Sequence, residues 1–406
     1  MPLVINCELF TSKFRVHSIC AGFGGRPVSR LSKLAVEREI ISASPKGQTP
    51  PSLTLIKSVS ETIAQLPSTR YYGSKRKLLP WIYDHVRTLE FDTVLDALGG
   101  TASVSLLFKA MRKTVTYHDG FRFNLDIAST LLSNQIAMTR DDVFQFLDNV
   151  TPVSGVVSRS FRGIYYKNRE NSWIDGFVAS LQRSDLSRAQ TALLRYLLYQ
   201  ACLKKRPFNL FHRSNLHLRT NKGVSRSFGN HVTWERSFQH HIMQAYDELP
   251  SGLRTHAQCV VMQSGNVERI KPGYDLVYID PPYVSEISRY NRDDYWRRYH
   301  FLEGLANYST WEQRIDTASD IRLLRRPKWM LDWATKATFA ERLFAFISTH
   351  KQSQVVLSYV TKACPGEREI TRFFEDTFAN VSIHSREHSH ALGATPRREL
   401  LFIGRP

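Results

Sequence analysis

From residue 70 onward, apolar positions along the chain follow two alternating periods. Leu78 to Arg87 has helical spacing, and Thr93-Val94-Leu95 reads as a short buried strand. A Gly99-Gly100 turn leads into an apolar helix from Ser103 to Met111. Thr114 to Tyr117 predicts a second strand, and Leu125 to Ile136 another amphipathic helix. Repeated strand–turn–helix units specify a parallel sheet covered by helices, an α/β architecture. The rhythm breaks over residues 151–260, a polar stretch that reads as loop-rich, with one bracing helix from Leu186 to Leu203. It resumes with strands at Gln258–Met262 and Asp275–Ile279. After an aromatic-rich polar segment (284–335), a helix near 337–349, a strand at Val355–Tyr359, a helix around Glu369–Phe378 and strands near Val381 and Leu400 close the chain.

This pattern divides the chain into 1–66, 67–150, 151–260 and 261–406. Residues 1–66 mix short apolar pieces with Pro and Gly at a density that breaks both periods, so they read as a loosely ordered extension. The run Ala21-Gly22-Phe23-Gly24-Gly25 lacks a strand before it and a helix after it, and is assigned no role.

Charge changes the picture. The chain carries a formal +18, and residues 151–260 hold 16 Lys and Arg against 6 Asp and Glu. Aromatics are interleaved with that charge at Phe161–Lys167 and Lys204–Phe208. Excess Lys and Arg suit a polyanion, because neutralised phosphates release counterions. Residues 151–260 are thus read as an inserted recognition segment, with Arg162, Lys167, Lys204, Arg206 and Arg213 as candidate DNA contacts. The five cysteines are scattered, with no C-x-x-C pair, which predicts a reduced protein without disulfides or structural metal. Neither a membrane-spanning apolar stretch nor a secretory leader is evident, so a cytoplasmic location without membrane contact is expected.

Three clusters carry candidate chemistry. Asp280-Pro281-Pro282-Tyr283 follows the buried strand, at the carboxyl end where open α/β sheets bind ligands. An aromatic amino nitrogen such as adenine's is a poor nucleophile, because its lone pair is delocalised into the ring. The Asp280 carboxylate and the Pro281 carbonyl, accepting its two N–H bonds, would draw it toward a tetrahedral shape. The prolines stiffen the turn, Pro282 offers no competing N–H, and Tyr283 can stack on an extruded base. The second cluster is Asp96-Ala97-Leu98-Gly99-Gly100-Thr101-Ala102-Ser103, whose glycines permit close backbone approach to a ligand at a helix N-terminus. Asp119 ends the next strand, where an adenosine ribose would be held; it could instead cap the following helix. The third is Arg70 to Lys77, in which Tyr71 and Lys75 flank Gly73 and could grip a cofactor or a phosphate.

Together and in this order, the clusters resemble the D12 class of adenine-specific DNA methyltransferases, to which the Dam enzymes belong. Tyr71-Tyr72-Gly73-Ser74-Lys75 is similar to the family's aromatic–x–Gly–Gly/Ser–Lys element, and Asp96 to Ala102 to its glycine-rich turn. Asp119, the insert and the DPPY of Asp280–Tyr283 follow in the alpha-type order. Tyr299–Glu303 and Arg398–Ile403 also look familial, so the resemblance spans about 68 to 404.

It implies a Rossmann-like methyltransferase fold that uses S-adenosylmethionine (SAM), with an inserted target-recognition domain acting on double-stranded DNA. It further implies base flipping, no metal, and a restriction–modification or related setting with a possible cognate endonuclease. The cofactor contacts would fall on Tyr71, Lys75, Asp96, Gly99, Gly100, Asp119 and Asp280, and the catalytic ones on Asp280, Pro281, Pro282 and Tyr283. Ala97, Leu98 and Ala102 depart from the family turn; Ala102 would be tolerated at a helical position but not at one needing positive φ. Gln263-Ser264-Gly265-Asn266 stands where relatives often carry an acid, with Asn266 a possible partner for adenine. The alternatives are a catalytically silent DNA-binding relative, or methylation of cytosine N4 or RNA adenine; Asp280 rather than Ser favours adenine.

Overall fold

Three short strands with fully buried interiors set the architecture: β1 (Thr93–Asp96), β2 (Thr114–Tyr117) and, after β3 (Cys259–Val261), β4 (Leu276–Ile279). They come from a computed structural model that describes residues 59–406 apart from 62, 68–70, 72, 207–209, 224, 226–227, 251–256, 286–293 and 389–396. The extension over 1–58 and the cluster members Arg70 and Tyr72 therefore lie outside the described residues.

The remaining strands are β5 (Val284–Ser285), β6 (Gln354–Val360), β7 (Ala363–Cys364), β8 (Asn380–His388) and β9 (Arg397–Arg405). β5 and β7 form a small antiparallel pair, and the other seven build one sheet in the order β3-β2-β1-β4-β6-β9-β8. The first five run parallel; β9 and β8 turn the far edge antiparallel. Successive side chains on a strand face opposite sides, and both sides are apolar here. Val94, Tyr278, Val356 and Leu401 join one core, while Leu95, Val277, Leu357 and Leu400 join the other. Helices cover both faces, as a mostly parallel sheet requires, and the result is a Rossmann-like α/β fold.

The strand order carries a functional consequence. From β1 the chain adds β2 and β3 on one side, then crosses to add β4 and β6 on the other. Ligands of such sheets bind where the direction reverses, outside the strands' carboxyl ends. That point lies between β1 and β4, with β2 alongside.

Two expectations need correction. The helix expected from Leu125 to Ile136 runs from Arg122 to Leu131. More substantially, residues 151–260 are not loop-rich. They carry helices Val156–Ser160, Asn168–Arg183, Arg188–Lys205, His217–Thr220, Phe228–Glu235 and Phe238–Asp247. Ser187 and Gln190 close a capping box at the start of the long helix, and its Leu193, Leu194, Leu197, Leu198 and Ala201 are buried. This helix packs on Arg122–Leu131, where Tyr199 Oη donates to Asp126 Oδ2 at 2.7 Å. Phe161, Tyr165 and Tyr166, read as displayed among charges, are wholly buried in the same core. Residues 51–406 make one compact unit, and among the described residues no helix is long and apolar enough to cross a membrane.

Arg206 shows what the buried basic residues of this segment do. Its guanidinium is 0% exposed, 4.4 Å from the ring centroids of both Tyr165 and Phe211, and donates to the Arg213 carbonyl and Asn215 Oδ1 at 3.1 Å each. Such a cation holds the packing around it and cannot reach a phosphate. Arg206→Ala is expected to cost about 2–4 kcal/mol of stability, whereas Arg213→Ala, on an exposed side chain, stays within about 0.5 kcal/mol. Urea unfolding of the two variants checks this contrast.

Candidate active site

The turn after β1 is shaped by its neighbours. A Cβ on Gly99 would lie 2.2 Å from the Tyr117 ring, so no other residue fits there without displacing it. Gly100 has φ +50°, donates its N–H to Asp119 Oδ2 at 2.9 Å, and accepts from Tyr117 Oη at 2.7 Å. Ala102 has φ +59°, so the position is one that wants glycine, and its methyl group costs about 1 kcal/mol of backbone strain. The helix Ser103–Ala110 starts there. Ser74, Thr101 and Ser103 group their hydroxyls at its first turn, with Thr101 and Ser103 2.8 Å apart.

Asp119 braces this turn from β2. Its second oxygen accepts from Phe121 N at 2.8 Å, and burial pushes its carboxyl above the ordinary carboxylate range. It does not cap the following helix, which begins at Arg122 behind Phe121. Asp96 ends β1 only 1% exposed. Ser105 Oγ donates to its Oδ2 at 2.6 Å, while Oδ1 is buried without a hydrogen-bond partner. Burial lifts its carboxyl to about 7, a rise that the Ser105 bond opposes and that the Asp280 and Asp119 charges reinforce.

On the β4 side, Asp280 accepts from Tyr283 Oη at 2.8 Å and pairs with Lys75 Nζ at 3.2 Å, both through Oδ1. Among the described residues, Oδ2 has no protein partner. Burial raises the proton affinity of Asp280; Lys75 and the Tyr283 hydroxyl hold it down. Lys75 is itself 5% exposed, donates to Tyr283 Oη, and lies 3.3 Å from Glu399 Oε2 on β9. Tyr71 stacks on Tyr299 with centroids 4.4 Å apart and accepts from Asn124 Nδ2 at 3.3 Å.

Tyr71, Lys75, Asp96, Gly99, Gly100, Asp119, Asp280, Pro281 and Pro282 all line a single cleft. Three of the expected contacts are engaged by the protein itself. Tyr283 is not in the lining: its hydroxyl is tied to Asp280, its edge meets Tyr359, and Lys75 lies 4.9 Å from its ring centroid, so it braces the Asp280 carboxylate. Lys75 lines the cleft with its ammonium paired to two carboxylates, Asp280 and Glu399. Asn266 is also outside the lining, because its side chain engages Glu268.

The opposite wall escaped sequence reasoning. Phe121, Trp296, Trp329, Met330 and Trp333 face the cleft, and Trp329 and Met330 lie so close to Gly120 that a Cβ there would fall within 3 Å of each. Trp329 and Trp333, one helical turn apart in a polar stretch, were the available signal.

The family model of D12 class N6 adenine-specific DNA methyltransferases matches residues 71–325, more than half of the chain. The chain belongs to that family. No curated protein matches it. The match takes in every acid lining the cleft, and ends before Arg326–Ala334 and before Glu399. In this DNA methyltransferase no group of three His, Cys, Asp or Glu among the described residues is placed to hold a metal ion.

Of the expected DNA contacts, Arg162 and Arg213 are exposed. Lys167 is half-buried and pairs with Glu235 at 2.8 Å. Lys204 is buried and pairs with Glu248 at 2.9 Å, so it joins Arg206 among residues that serve the fold. His212 marks a basic cluster that sequence reasoning missed in part: burial and the charges of Arg298, Arg213, Arg206 and Arg297 push it down to about 4.

Asp96 gives a pH signature. A carboxyl whose folded pKa exceeds its unfolded value lowers stability as pH rises between the two, from about 4 to about 7, and the loss is complete above that range. Asp96→Asn removes the loss, so its stability relative to wild type should climb by roughly 2–4 kcal/mol from pH 4 to pH 7.5. Urea unfolding of the ligand-free protein at both pH values tests this; parallel profiles would assign the shift elsewhere.

Proposed function

We propose that the protein transfers a methyl group from SAM to N6 of an adenine flipped out of double-stranded DNA at a specific site. The observation that carries this reading is that Tyr71, Asp119 and Asp280, drawn from three separate segments, line one cleft. A base within the duplex is unreachable, so the target must leave the stack to enter such a hollow.

The residues present fit the cofactor. Asp119 stands at the end of β2, where a ribose hydroxyl is bound in folds of this kind, and Gly99–Gly100 leave the backbone bare beside it. The buried, unpartnered Oδ1 of Asp96 offers an acceptor to a donor in the cleft. Trp329 and Phe121 supply flat faces near Asp119 for an adenine ring. When bound, SAM supplies an electrophilic methyl group on a sulfonium.

The chain's part is to prepare the amino group. Lys75 and Tyr283 fix Oδ1 of Asp280, and Oδ2 together with the Pro281 carbonyl accepts the two N6–H bonds. The nitrogen lone pair then turns out of the ring plane toward the methyl carbon. Asp280, whose proton affinity burial raises, would then take up the surplus N6 proton that methylation leaves on the nitrogen. Neither a metal nor a covalent enzyme intermediate is required. Arg162, Arg213 and Arg297 are the exposed cations proposed to meet the DNA backbone.

Transfer of radiolabelled methyl from SAM to DNA tests the reading. Wild type should label adenine at N6, and Asp280→Ala should lose about 10²–10³-fold in kcat, the scale for removing one preorganised electrostatic partner. Label on cytosine or only on RNA would redirect the substrate assignment; DNA binding without transfer would mark a silent relative. Sequencing of DNA from cells expressing the protein reports the modified site, and with it any restriction–modification setting. In the same assay, Arg213→Ala is expected to flatten the salt dependence of DNA binding by about one counterion.

A further inference from the structure

Glu399 is a carboxylate only 1% exposed, carried on a strand at the far end of the chain. β9 pairs with β6 so that Glu399 lies opposite Val360, and its Oε2 reaches Lys75 Nζ at 3.3 Å. The three hydrogens of that ammonium meet three partners: Asp280 Oδ1, Glu399 Oε2 and Tyr283 Oη. One buried cation thus serves two carboxylates, Glu399 buried and Asp280 half-buried. Were Asp280 the only carboxylate, the Tyr283 hydroxyl alone would hold the ammonium off centre; drawn by the full carboxylate charge in a low-dielectric site, it would shift toward Oδ2 and cover it.

We propose that Glu399 is a positioning residue that divides the Lys75 ammonium, so that one oxygen of Asp280 stays open to the substrate amino group. The proposal rests on the amino-methylation reading above and assigns it a component outside the region that the family model matches. The groups facing Asp280 are Lys75 and Tyr283 in contact, Glu399 behind Lys75, Tyr278 on β4, and Asp96 at the end of β1; Tyr295 faces Lys75 from the other side. Of these, Glu399 and Asp96 favour a proton on Asp280, and Lys75 opposes it.

Glu399→Gln is nearly isosteric and removes the competing charge. Lys75 then settles on Asp280, and two signatures follow. Plateau kcat falls roughly ten- to a hundredfold, the scale of a misplaced reacting group, with KM for DNA within about twofold of wild type. The acid limb of the kcat–pH profile moves to lower pH by roughly one unit, because Asp280 gains undivided pairing and loses a like charge. Difference infrared titration of the ligand-free protein, with Asp280→Asn to identify the band, should show the same downward movement. Glu399→Asp keeps the charge, folds with a shorter reach, and should restore much of kcat and the wild-type limb. A folded Glu399→Gln with wild-type kcat and limb overturns the proposal. So does a loss of stability with the limb unmoved in Glu399→Gln or, should that variant not fold, a Glu399→Asp whose limb departs from wild type. Absence of methyl transfer by wild type fails the underlying reading instead, and is told apart because it needs no variant.

Discussion

Three adjacent parallel strands end in acids, and the rest of the site follows from that constraint. β2, β1 and β4 are neighbours in the sheet, so Asp119, Asp96 and Asp280 open onto one edge although 184 positions separate the first and last in sequence. Crowded carboxylates repel one another and resist burial. The protein offsets this locally. Backbone N–H groups of Gly100 and Phe121 occupy Asp119, Ser105 occupies one oxygen of Asp96, and Lys75 with Tyr283 occupies one oxygen of Asp280. The oxygens left over, the buried Oδ1 of Asp96 and, among the described residues, Oδ2 of Asp280, whose contacts run through Oδ1, are acceptors that a ligand's donors can complete.

The cleft is asymmetric for a physical reason. Its sheet side is polar because strand ends expose backbone and acids; its far side is aromatic because the covering segment contributes Trp296, Trp329 and Trp333. Flat, apolar faces opposite hydrogen-bonding groups suit purines, which have both an apolar face and a polar edge. Backbone contact limits the gap: Gly73 and Gly120 stand where Tyr295 in one case and Trp329 in the other approach too closely for any side chain.

The inserted helices show how charge and aromatic content mislead when read without depth. Arg206, Lys204, Lys205 and Arg219 are all buried, and each finds a carboxylate, carbonyl or ring inside the segment. Glu170 alone answers both Lys205 and Arg219, at 3.0 Å each. Part of the basic character that pointed to a polyanion therefore serves to tie helices together, while an exposed set, including Arg162, Arg213 and, outside the segment, Arg297, remains at the surface.

The sequence by itself determined the strands β1, β2 and β4, the glycine turn, and the acids that follow them. These are local facts: strand periodicity, the steric demands of Gly99, and a Pro-Pro turn are all written within a few residues. Only the tertiary structure decided which acids share a cleft, that Tyr283 and Lys75 contact Asp280, that Trp329 lines the cleft and Glu399 reaches Lys75, and which cations are buried. Each of these depends on contacts between segments far apart in the chain, as Lys75 and Glu399 are, and neither periodicity nor composition encodes the depth at which a side chain comes to rest.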